Sequence, residues 1–449
     1  MSLPKNPSGA PLNPSVGMSG NLRARIVEEI RRRGPIPFSR YMEMCLYEPE
    51  LGYYARPREQ FGKAGDFYTS SDVHAVFGRL LSRQFEEMWR VLGSPERIDL
   101  IELGPGRGLF AADVLDWSAK QFPNFASALR YVLVEQSGHL RGRLRERLAE
   151  HIAAGRARIS DSLEAAGTEA QISEEAEELG QGSVSPAEAG SPYLEERLDR
   201  HDQGRALTRI IAIPRSSADP EVLNPRPVIL FANEFFDALP VDVVDHRGSL
   251  RVAETQGRLV EQFVPPSADE LGYIDRYSVH PEPGERVEAA LAAVRWMDRV
   301  AQLFHHRAGF AMFIDYGYTR EEQLAGRHRD TLMTYRAHRA GASPYEAPGE
   351  QDITAHVNFT ALRSRAAEAG LDDLALLTQT QLLLGIGEET QFADAFQDCR
   401  LAQERAKVAL QLRHLLSPEE MGEKFQALLL SRGVPEDECR GLSATKLSR

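Results

Sequence analysis

The sequence predicts an α/β fold in which a mostly parallel sheet carries helices on both faces. Residues 98–116, IDLIELGPGRGLFAADVLD, pass from an apolar, β-branched run through three alternating glycines into a segment with helical spacing. This order of strand, tight turn and helix is typical of the first unit of a nucleotide-binding sheet. Later apolar runs at 131–134, 228–233 and 309–317 have the composition of further buried strands.

At 449 residues, the chain can form two or three domains, or one large domain with additions. Its composition predicts a disordered lead at 1–20, a helical region with a polar and aromatic loop at 21–92, and a main domain at 93–385. A low-complexity acidic insertion interrupts the main domain at about 161–226. A C-terminal helical region is predicted at 386–449.

The formal net charge of −13 comes mainly from the acidic insertion. Residues 161–200 hold eleven acids and two bases, so the rest of the chain is only mildly acidic. The sequence shows no basic stripe that could hold a phosphate backbone, and we therefore expect no nucleic acid as the main partner. No run approaches the roughly 18 apolar residues of a membrane-spanning helix, so no membrane span is predicted.

The N-terminal residues and the cysteines favour a cytoplasmic location. Residues 1–20 have neither the apolar core of a secretion signal nor the arginines of an organelle-import signal. The three widely spaced cysteines match no disulfide framework and no metal site. The histidine pair His305-His306 has no third ligand at metal-site spacing, so a bound metal is not expected.

The other elements are predicted from periodicity and from capping residues. Helices are expected over Asn21–Arg33, Ser39–Leu46 and residues 71–92, the last with a broad apolar face. Residues 241–278 alternate in polarity between turn signals, which predicts antiparallel strands laid over the main sheet. A further helix is predicted from Arg286 to about His306.

The last part of the chain is predicted to contain a strand pair followed by a helical tail. Residues 371–384 supply the apolar run for the strand pair. Ser417 and Pro418, followed by two glutamates, have the order of an N-cap, a proline at the first helical position and acids in the first turn. A helix is therefore expected to begin there.

The glycine spacing indicates which ligand the first turn would bind. Residues 104–108 read G-x-G-x-G, and Leu109 stands where a dinucleotide fingerprint has its third glycine. A P-loop is excluded because the turn has no Gly-Lys-Ser/Thr. A carboxylate two residues before the first glycine repels phosphate and attracts a cation, such as the sulfonium and ammonium of S-adenosylmethionine. The expected cofactor-binding residues of this unit are Glu102, Gly104, Pro105, Gly106 and Gly108.

Two further polar segments are expected near the cofactor. Glu135 follows the strand at 131–134, where a carboxylate can bind the ribose hydroxyls of an adenosine ligand. Upstream of the first sheet unit, Gly65, Asp66 and Phe67 begin a loop that combines a carboxylate with nearby hydroxyls. The alternative for that loop is an ordinary cap and turn.

The second informative segment is VILFANEFFDALP at 228–240. Asn233, Glu234 and Asp237 come at the carboxyl end of a predicted strand, which faces the ligand crevice in a doubly wound sheet. They would therefore lie opposite the cofactor's methyl group. Phe235 and Phe236 would form an apolar wall beside it.

With these segments identified, the chain resembles the MidA-like (DUF185) family of S-adenosylmethionine-dependent methyltransferases. The most specific motifs are GDFYTS and NEFFDALP, while IELGPGRG alone indicates only a methyltransferase. The matching motifs extend from residue 21 to 431 in the family's order and include LYEPELGYY, FIDYG, DTLMTYRAHRA and QDITAHVNFTAL. The acidic insertion before NEFFDALP departs from the family's pattern.

The resemblance implies a Rossmann-like class I methyltransferase sheet with S-adenosyl-L-methionine as the cofactor. The mitochondrial members of the family are protein-arginine methyltransferases that act as assembly factors for respiratory complex I. By resemblance, the acceptor is an arginine in a quinone-site subunit of a complex I-type NADH dehydrogenase. The implied cofactor site combines the glycine turn, Glu102, Glu135, the segment Gly65, Asp66 and Phe67, and Asn233-Glu234.

A guanidinium acceptor needs a group that orients it and accepts its proton, because its pKa lies above 12. The candidates are Glu234, Asp237 and Asp66, and the sequence leaves open which of them is the proton acceptor. Two other functions stay open. One is an assembly chaperone that binds the cofactor without turnover, which the aromatic loop around Tyr53-Tyr54 would suit. The other is a small-molecule methyltransferase.

Overall fold

The computed structural model describes residues 21–56, 75–167, 226–336, 339–341 and 343–446. The predicted lead at 1–20, the loop with Gly65, Asp66 and Phe67, and most of the acidic insertion lie outside these residues. None of the helices described is both long and apolar enough to cross a membrane.

Two helices and a short strand begin the described chain, and both helices confirm the predictions. α1 (Leu22–Arg33) follows Asn21, whose side chain caps the helix by accepting a hydrogen bond from the Arg23 amide at 2.9 Å. β1 (Ile36–Pro37) leads into α2 (Phe38–Tyr47), and a 3-10 turn follows at Tyr53–Ala55.

The next segment alternates helices with parallel strands, as predicted. Its elements are α3 (Ala75–Val91), β2 (Ile98–Leu103), α4 (Leu109–Gln121), α5 (Pro123–Ala128), β3 (Leu129–Val134), α6 (Gly138–Arg147), α7 (Ala149–Ala153) and β4 (Ala157–Ser160). Every residue of β2 is buried. A strand buried on both faces reads as a continuous apolar run, which is why β2 could be recognised.

The middle segment contains the second predicted active-site strand and a set of antiparallel strands. Its elements are β5 (Val228–Asn233), β6 (Asp242–Asp245), β7 (Gly248–Thr255), β8 (Arg258–Val264), α8 (Ala268–Tyr277), β9 (Arg286–Ala289), α9 (Leu291–Leu303) and β10 (Gly309–Tyr318). The prediction of a helix from Arg286 was wrong at its start. Residues 286–289 pair with β6 instead, and the helix begins at Leu291.

The last segment mixes short strands with helices. Its elements are α10 (Arg320–Leu324), β11 (Met333–Arg336), β12 (Arg339–Ala340), β13 (Asp352–Thr354), β14 (Val357–Asn358), α11 (Phe359–Glu368), β15 (Asp372–Thr378), α12 (Gln379–Gly387), α13 (Ala393–Phe396), α14 (Ala402–Leu416), β16 (Phe425–Arg432) and α15 (Glu436–Cys439). A 3-10 turn follows at Ser443–Thr445.

Two predictions for this last segment were wrong. The strand pair expected within 371–384 is one strand, β15, followed by α12, and the antiparallel partner of β15 is β16. The tail is not entirely helical, because β16 joins the main sheet. Ser417 ends α14 and does not begin a new helix.

The main sheet has the strand order β15-β16-β10-β5-β2-β3-β4, and β14 pairs with the end of β10. The strands from β10 to β4 are parallel neighbours, whereas β16 runs antiparallel to both β10 and β15. The chain moves outward from β2 to β4 on one side and from β5 to β10 on the other. The direction therefore reverses between β2 and β5, where the ligand crevice of such a sheet opens.

Helices cover both faces of this sheet, as predicted. On one face, Phe85 of α3 and Phe110 of α4 pack on Phe231 of β5, with ring centroids 5.5 and 4.5 Å from it. On the opposite face, α9 and α11 contribute buried side chains such as Met297 and Phe359. The sheet core is thus closed on both sides, which leaves its strand ends to form the site.

The antiparallel strands form a second sheet, with the order β1-β7-β6-β9 and β8 paired to β7. This sheet shares a core with α1 and α2, which includes Ile26, Phe38 and Val243. The expectation that it would lie over the main sheet was therefore wrong. The apolar faces of α1 and α2 cover it instead.

Candidate active site

One cavity of about 1390 Å³ opens at the carboxyl ends of β2, β3, β5 and β10. Most of the predicted site residues line it, namely Glu102, Gly104, Pro105, Gly106, Glu135, Asn233, Glu234 and Asp237. Gly108 does not. Gly65, Asp66 and Phe67 lie outside the described residues, so their roles stay predictions.

The three glycines of the turn share a left-handed backbone, with φ values of 63° at Gly104, 51° at Gly106 and 71° at Gly108. This conformation favours glycine at each position. A Cβ on Gly108 would come within 2.7 Å of Leu144 Cδ2, so this glycine allows α6 to pack closely against the start of α4. Gly104 and Gly106 present their backbone to the cavity, as the sequence predicted.

Glu102 lies beneath the turn and is 4% exposed. The Tyr131 hydroxyl donates a hydrogen bond to its Oε2 at 2.8 Å. Burial raises the pKa of Glu102 to about 8, although the Tyr131 hydrogen bond opposes this effect. A bound cation would favour the ionised form, and Glu102 is thus suited to a positively charged ligand.

Glu135 occupies the end of β3, as predicted for a ribose-binding carboxylate. Its Oε1 accepts a hydrogen bond from the Ser137 amide at 2.7 Å, which fixes the direction of the carboxylate. Loss of solvation raises the pKa of Glu135 to about 7. The Ser137 hydroxyl also donates to the Tyr54 carbonyl at 3.1 Å, which ties this strand end to the N-terminal region.

The turn after β5 is held by a carboxylate that the sequence analysis did not assign to the site. Oδ2 of Asp315, in β10 just beyond its last pair with β5, accepts hydrogen bonds from the amides of Phe235, Phe236 and Asp237 at 3.0–3.2 Å. Burial and the neighbouring carboxylates raise the pKa of Asp315, and the backbone amides oppose that rise. The position of Asp315 at a buried strand end was the available signal.

The two phenylalanines of this turn do not have the same role. Phe235 lines the cavity and packs edge-to-face on Trp296, with centroids 4.9 Å apart. Phe236 is 4% exposed and packs on Phe313 in the core. The expected apolar wall is therefore built by Phe235 and Trp296, and the assignment of Phe236 to it was wrong.

Asp237 is the most enclosed of the predicted catalytic residues that the structure describes. The Tyr316 hydroxyl donates a hydrogen bond to its Oδ2. Its Oδ1 is buried, and so is Oδ1 of Asn233; neither has a hydrogen-bond partner within the described ranges. Buried acceptors of this kind fit N–H or O–H donors of a bound ligand.

Residues from distant segments complete the cavity, and none of them was among the predicted site residues. Tyr47 and Tyr54 come from the N-terminal region, where Tyr54 donates a hydrogen bond to Asp352 Oδ1 at 3.1 Å. His356 lies with its Nδ1 3.2 Å from His328 Nδ1. Burial lowers the pKa of His356 to about 4, so this histidine is neutral at physiological pH.

The charges of the cavity are arranged by depth. The carboxylates of Glu102, Asp237 and Asp352 are buried, whereas none of the cationic lining residues is: Arg295, Arg327 and Lys424 are exposed, and Arg40, Arg107 and Arg299 are half-buried. The inner part of the cavity therefore favours a cationic ligand. The donors and acceptors also fit S-adenosyl-L-methionine, since the glycine turn, Glu102, Glu135 and Asn233 all line this one cavity.

Comparisons with known proteins agree with this site. A family model of S-adenosyl-L-methionine-dependent methyltransferases matches residues 80–376. The chain is 27% identical over 429 residues to the "Protein arginine methyltransferase NDUFAF7 homolog, mitochondrial" of Drosophila melanogaster, a match that covers 92% of this chain and 86% of the relative. It is 26% identical to the human protein arginine methyltransferase NDUFAF7, with 93% and 84% covered.

A crystal structure from Burkholderia thailandensis, bound to S-adenosyl-homocysteine, superposes with a TM-score of 0.70 at 28% identity. The match covers 99% of this chain and 98% of that one. The family match spans more than half of the sequence and includes β2, β3, β5 and β10. The chain belongs to the MidA-like family of S-adenosyl-L-methionine-dependent methyltransferases.

Proposed function

We propose that this methyltransferase modifies arginine side chains of a protein. The relatives named as protein arginine methyltransferases support this acceptor. The single observation that carries the proposal is the pairing of buried carboxylates with tyrosines in the inner cavity, formed by Asp237, Asp352 and Tyr54. A guanidinium is always charged and planar, so carboxylates and aromatic rings are the groups that recognise it.

The size of the cavity also supports a second ligand beside the cofactor. Pockets for a single small molecule typically measure about 300–1,000 Å³, and this cavity holds about 1390 Å³. The glycine turn follows β2, whereas the carboxylates after β5 and in β13 enter the lining from other strands. A cavity of this volume leaves room for an acceptor side chain beside a bound cofactor.

When bound, S-adenosyl-L-methionine supplies the methyl group of its sulfonium. The protein's own contribution is to hold the acceptor nitrogen in line and to remove its proton, because positioning accounts for much of such a rate enhancement. Glu234 orients the guanidinium, and Asp237 is the enclosed carboxylate nearest in the chain to it. Phe235 and Trp296 exclude water from the wall beside them.

We further propose a subunit of a complex I-type NADH dehydrogenase as the protein acceptor and the cytoplasm as the compartment. The first proposal is supported by the family resemblance. The second is supported by the free, buried thiols of Cys45 and Cys439, which suit a reducing compartment.

The test is transfer of isotope-labelled methyl groups from S-adenosyl-L-methionine into a lysate of the source cell. We expect label in a protein band and, after hydrolysis, in methylated arginine. The Asp237→Asn variant should give no labelled protein. Label confined to a metabolite, or to another amino acid, would contradict the arginine proposal.

A further inference from the structure

We propose that Asp237 is the proton acceptor and that Tyr316 is a positioning residue, which holds Asp237 so that Oδ1 faces the acceptor nitrogen. This inference rests on the proposed function, because it assigns the proton step of methyl transfer to a cationic nitrogen. It also selects the proton acceptor from the three candidates that the sequence left open, Glu234, Asp237 and Asp66.

The two carboxylate oxygens of Asp237 have different surroundings. Oδ2 accepts the Tyr316 hydroxyl, whereas Oδ1 is buried and makes no hydrogen bond of normal geometry within the described ranges. The amides of Asp237 and Ala238 lie close enough to the carboxylate to lower its pKa, but they leave Oδ1 open to a donor of better geometry. Both residues line the cavity. A buried acceptor without a partner is costly, and an N–H donor from a substrate would satisfy it.

The backbone of Asp237 is fixed from two sides. Its amide donates to Asp315 Oδ2 at 3.2 Å, and its carbonyl accepts the Ala355 amide at 3.0 Å. With the backbone held, the direction of the carboxylate depends on its side-chain torsions. The bond from Tyr316 sets those torsions.

Tyr316 is held just as firmly. Its amide donates a hydrogen bond to Asp315 Oδ1 at 2.9 Å, so the Asp315 carboxylate accepts a hydrogen bond from the backbone of both Asp237 and Tyr316. The phenol ring lies edge-on between His356 and Phe425, with centroids 5.4 and 5.5 Å away. Asp315 therefore connects the turn after β5 to β10, and the Tyr316 side chain contacts Asp237 beside this connection.

Several titratable groups face this carboxylate, and they define its electrostatic setting. Asp315 and Tyr316 come from β10, Tyr47 and Tyr54 from the N-terminal region, and Tyr335 from β11. Burial raises the pKa of Asp237 to about 6, and the Tyr316 hydrogen bond opposes that rise. A base with a pKa just below neutrality is well matched to proton transfer at physiological pH.

The proton balance of the step is simple. As the acceptor nitrogen forms its bond to the methyl group, the sulfur–methyl bond breaks and the sulfonium becomes a neutral thioether. The nitrogen then loses one proton, which passes to Oδ1 of Asp237. The methylated guanidinium keeps its single positive charge, and Asp237 returns its proton to solvent before the next turnover.

The first test is the pH profile of kcat/KM with the protein acceptor found in the lysate experiment. Wild type should show an acidic limb with a midpoint near the pKa of Asp237. Tyr316→Phe should raise that midpoint by about one pH unit, because a hydrogen bond to the charged form is lost. Below the midpoint, kcat/KM of the variant should then be about tenfold lower than that of wild type, and above pH 8 it should be nearly the same. The KM for S-adenosyl-L-methionine should be unchanged.

Tyr41→Phe is the matched control for the loss of a buried hydroxyl. Tyr41 donates a hydrogen bond to the Pro344 carbonyl at 2.6 Å and does not line the cavity. The pH midpoint of kcat/KM for Tyr41→Phe should equal that of wild type. If Tyr316→Phe behaves in the same way, or loses activity equally at every pH, Tyr316 does not position Asp237.

The second test needs neither cofactor nor acceptor, so it can be interpreted even if the arginine proposal fails. A raised carboxyl pKa contributes stability that is complete below the unfolded pKa and is lost as pH rises through the folded value. The difference in thermal stability between wild type and Asp237→Asn should therefore change between about pH 4 and pH 6 and become constant above pH 6. In the Tyr316→Phe background this change should continue to a higher pH, and an unchanged end point would overturn the inference.

Discussion

At the scale of single residues, the turn after β5 depends on a backbone conformation that glutamate seldom adopts. Glu234 has a φ of 52°, in the left-handed region, which costs a non-glycine residue roughly 1–3 kcal/mol. Its amide donates to the Ile314 carbonyl at 2.9 Å, and the following three amides converge on Asp315. This network keeps the Glu234 side chain on the cavity wall, which supports a functional role.

We predict that Glu234→Gln lowers the rate of methyl transfer about a hundredfold, equivalent to about 2.7 kcal/mol. Glutamine keeps the size of the side chain but loses the negative charge that orients a guanidinium. The Kd of S-adenosyl-L-methionine should stay within about threefold, because the glycine turn and Glu135 are untouched. Steady-state kinetics and calorimetry measure the two effects separately.

The control for Glu234 is Glu150→Gln, which removes an exposed carboxylate on α7 away from the cavity. Its rate should match that of wild type. Near-normal turnover of Glu234→Gln would remove Glu234 from the mechanism, while a large loss of cofactor affinity would assign it to cofactor binding instead.

At the scale of elements, the glycine turn is shaped as much by helix packing as by the ligand. Gly108 directly precedes α4 and has a φ of 71°, and a Cβ at this position would contact the Leu144 side chain of α6. An alanine in the left-handed region costs about 1–2 kcal/mol. We therefore predict that Gly108→Ala lowers the free energy of unfolding by at least that amount, as measured by urea denaturation.

Gly142→Ala is the matched glycine control. Gly142 lies inside α6, and a Cβ there meets no atom within 4 Å. Alanine gains up to about 1 kcal/mol over glycine in a helix interior, so this variant should be as stable as wild type or more stable. Equal destabilisation by both substitutions would show that backbone conformation is not the reason for Gly108.

Most elements with clear sequence signals were predicted correctly, although the capping signal at Ser417 does not begin a helix. β2, β3 and β5 are apolar runs that end in polar residues. In contrast, β16 (FQALLLSR) has no β-branched residue, and leucines suit a helix equally well. β16 is a strand because β10 and β15 flank it, with Leu429 buried in the core on one face of the sheet and Leu428 in the core on the other.

At the scale of the whole molecule, parallel topology explains why much of the site could be predicted. Glu102 lies near the end of β2, Glu135 follows β3 and Asp237 follows β5, and the carboxyl ends of those strands share one edge. Tyr54 and Asp352 could not be placed, because Tyr54 reaches the cavity from the N-terminal region and Asp352 from β13, which pairs with β11 outside the main sheet. No local pattern encodes these positions.

The buried carboxylates also link the stability of the whole molecule to pH. Burial raises the pKa of Glu102 to about 8, and loss of solvation raises those of Glu135 and Glu288 to about 7. Each group contributes stability that is complete below its unfolded pKa, near 4.5, and lost as pH rises through its folded value. Through these three groups, the free energy of unfolding of the cofactor-free protein should therefore fall between about pH 5 and pH 8.

We predict that Glu102→Gln reduces this pH dependence, because the variant has no proton to lose at the most strongly shifted site. Between pH 5 and pH 8, the unfolding free energy of wild type should fall by on the order of a few kcal/mol more than that of Glu102→Gln. Denaturant titrations at several pH values measure the difference. Glu96→Gln, which removes an exposed carboxylate, should keep the wild-type slope. Parallel slopes for Glu102→Gln and wild type would show that Glu102 is ionised throughout, with its charge compensated inside the fold before any cationic ligand binds.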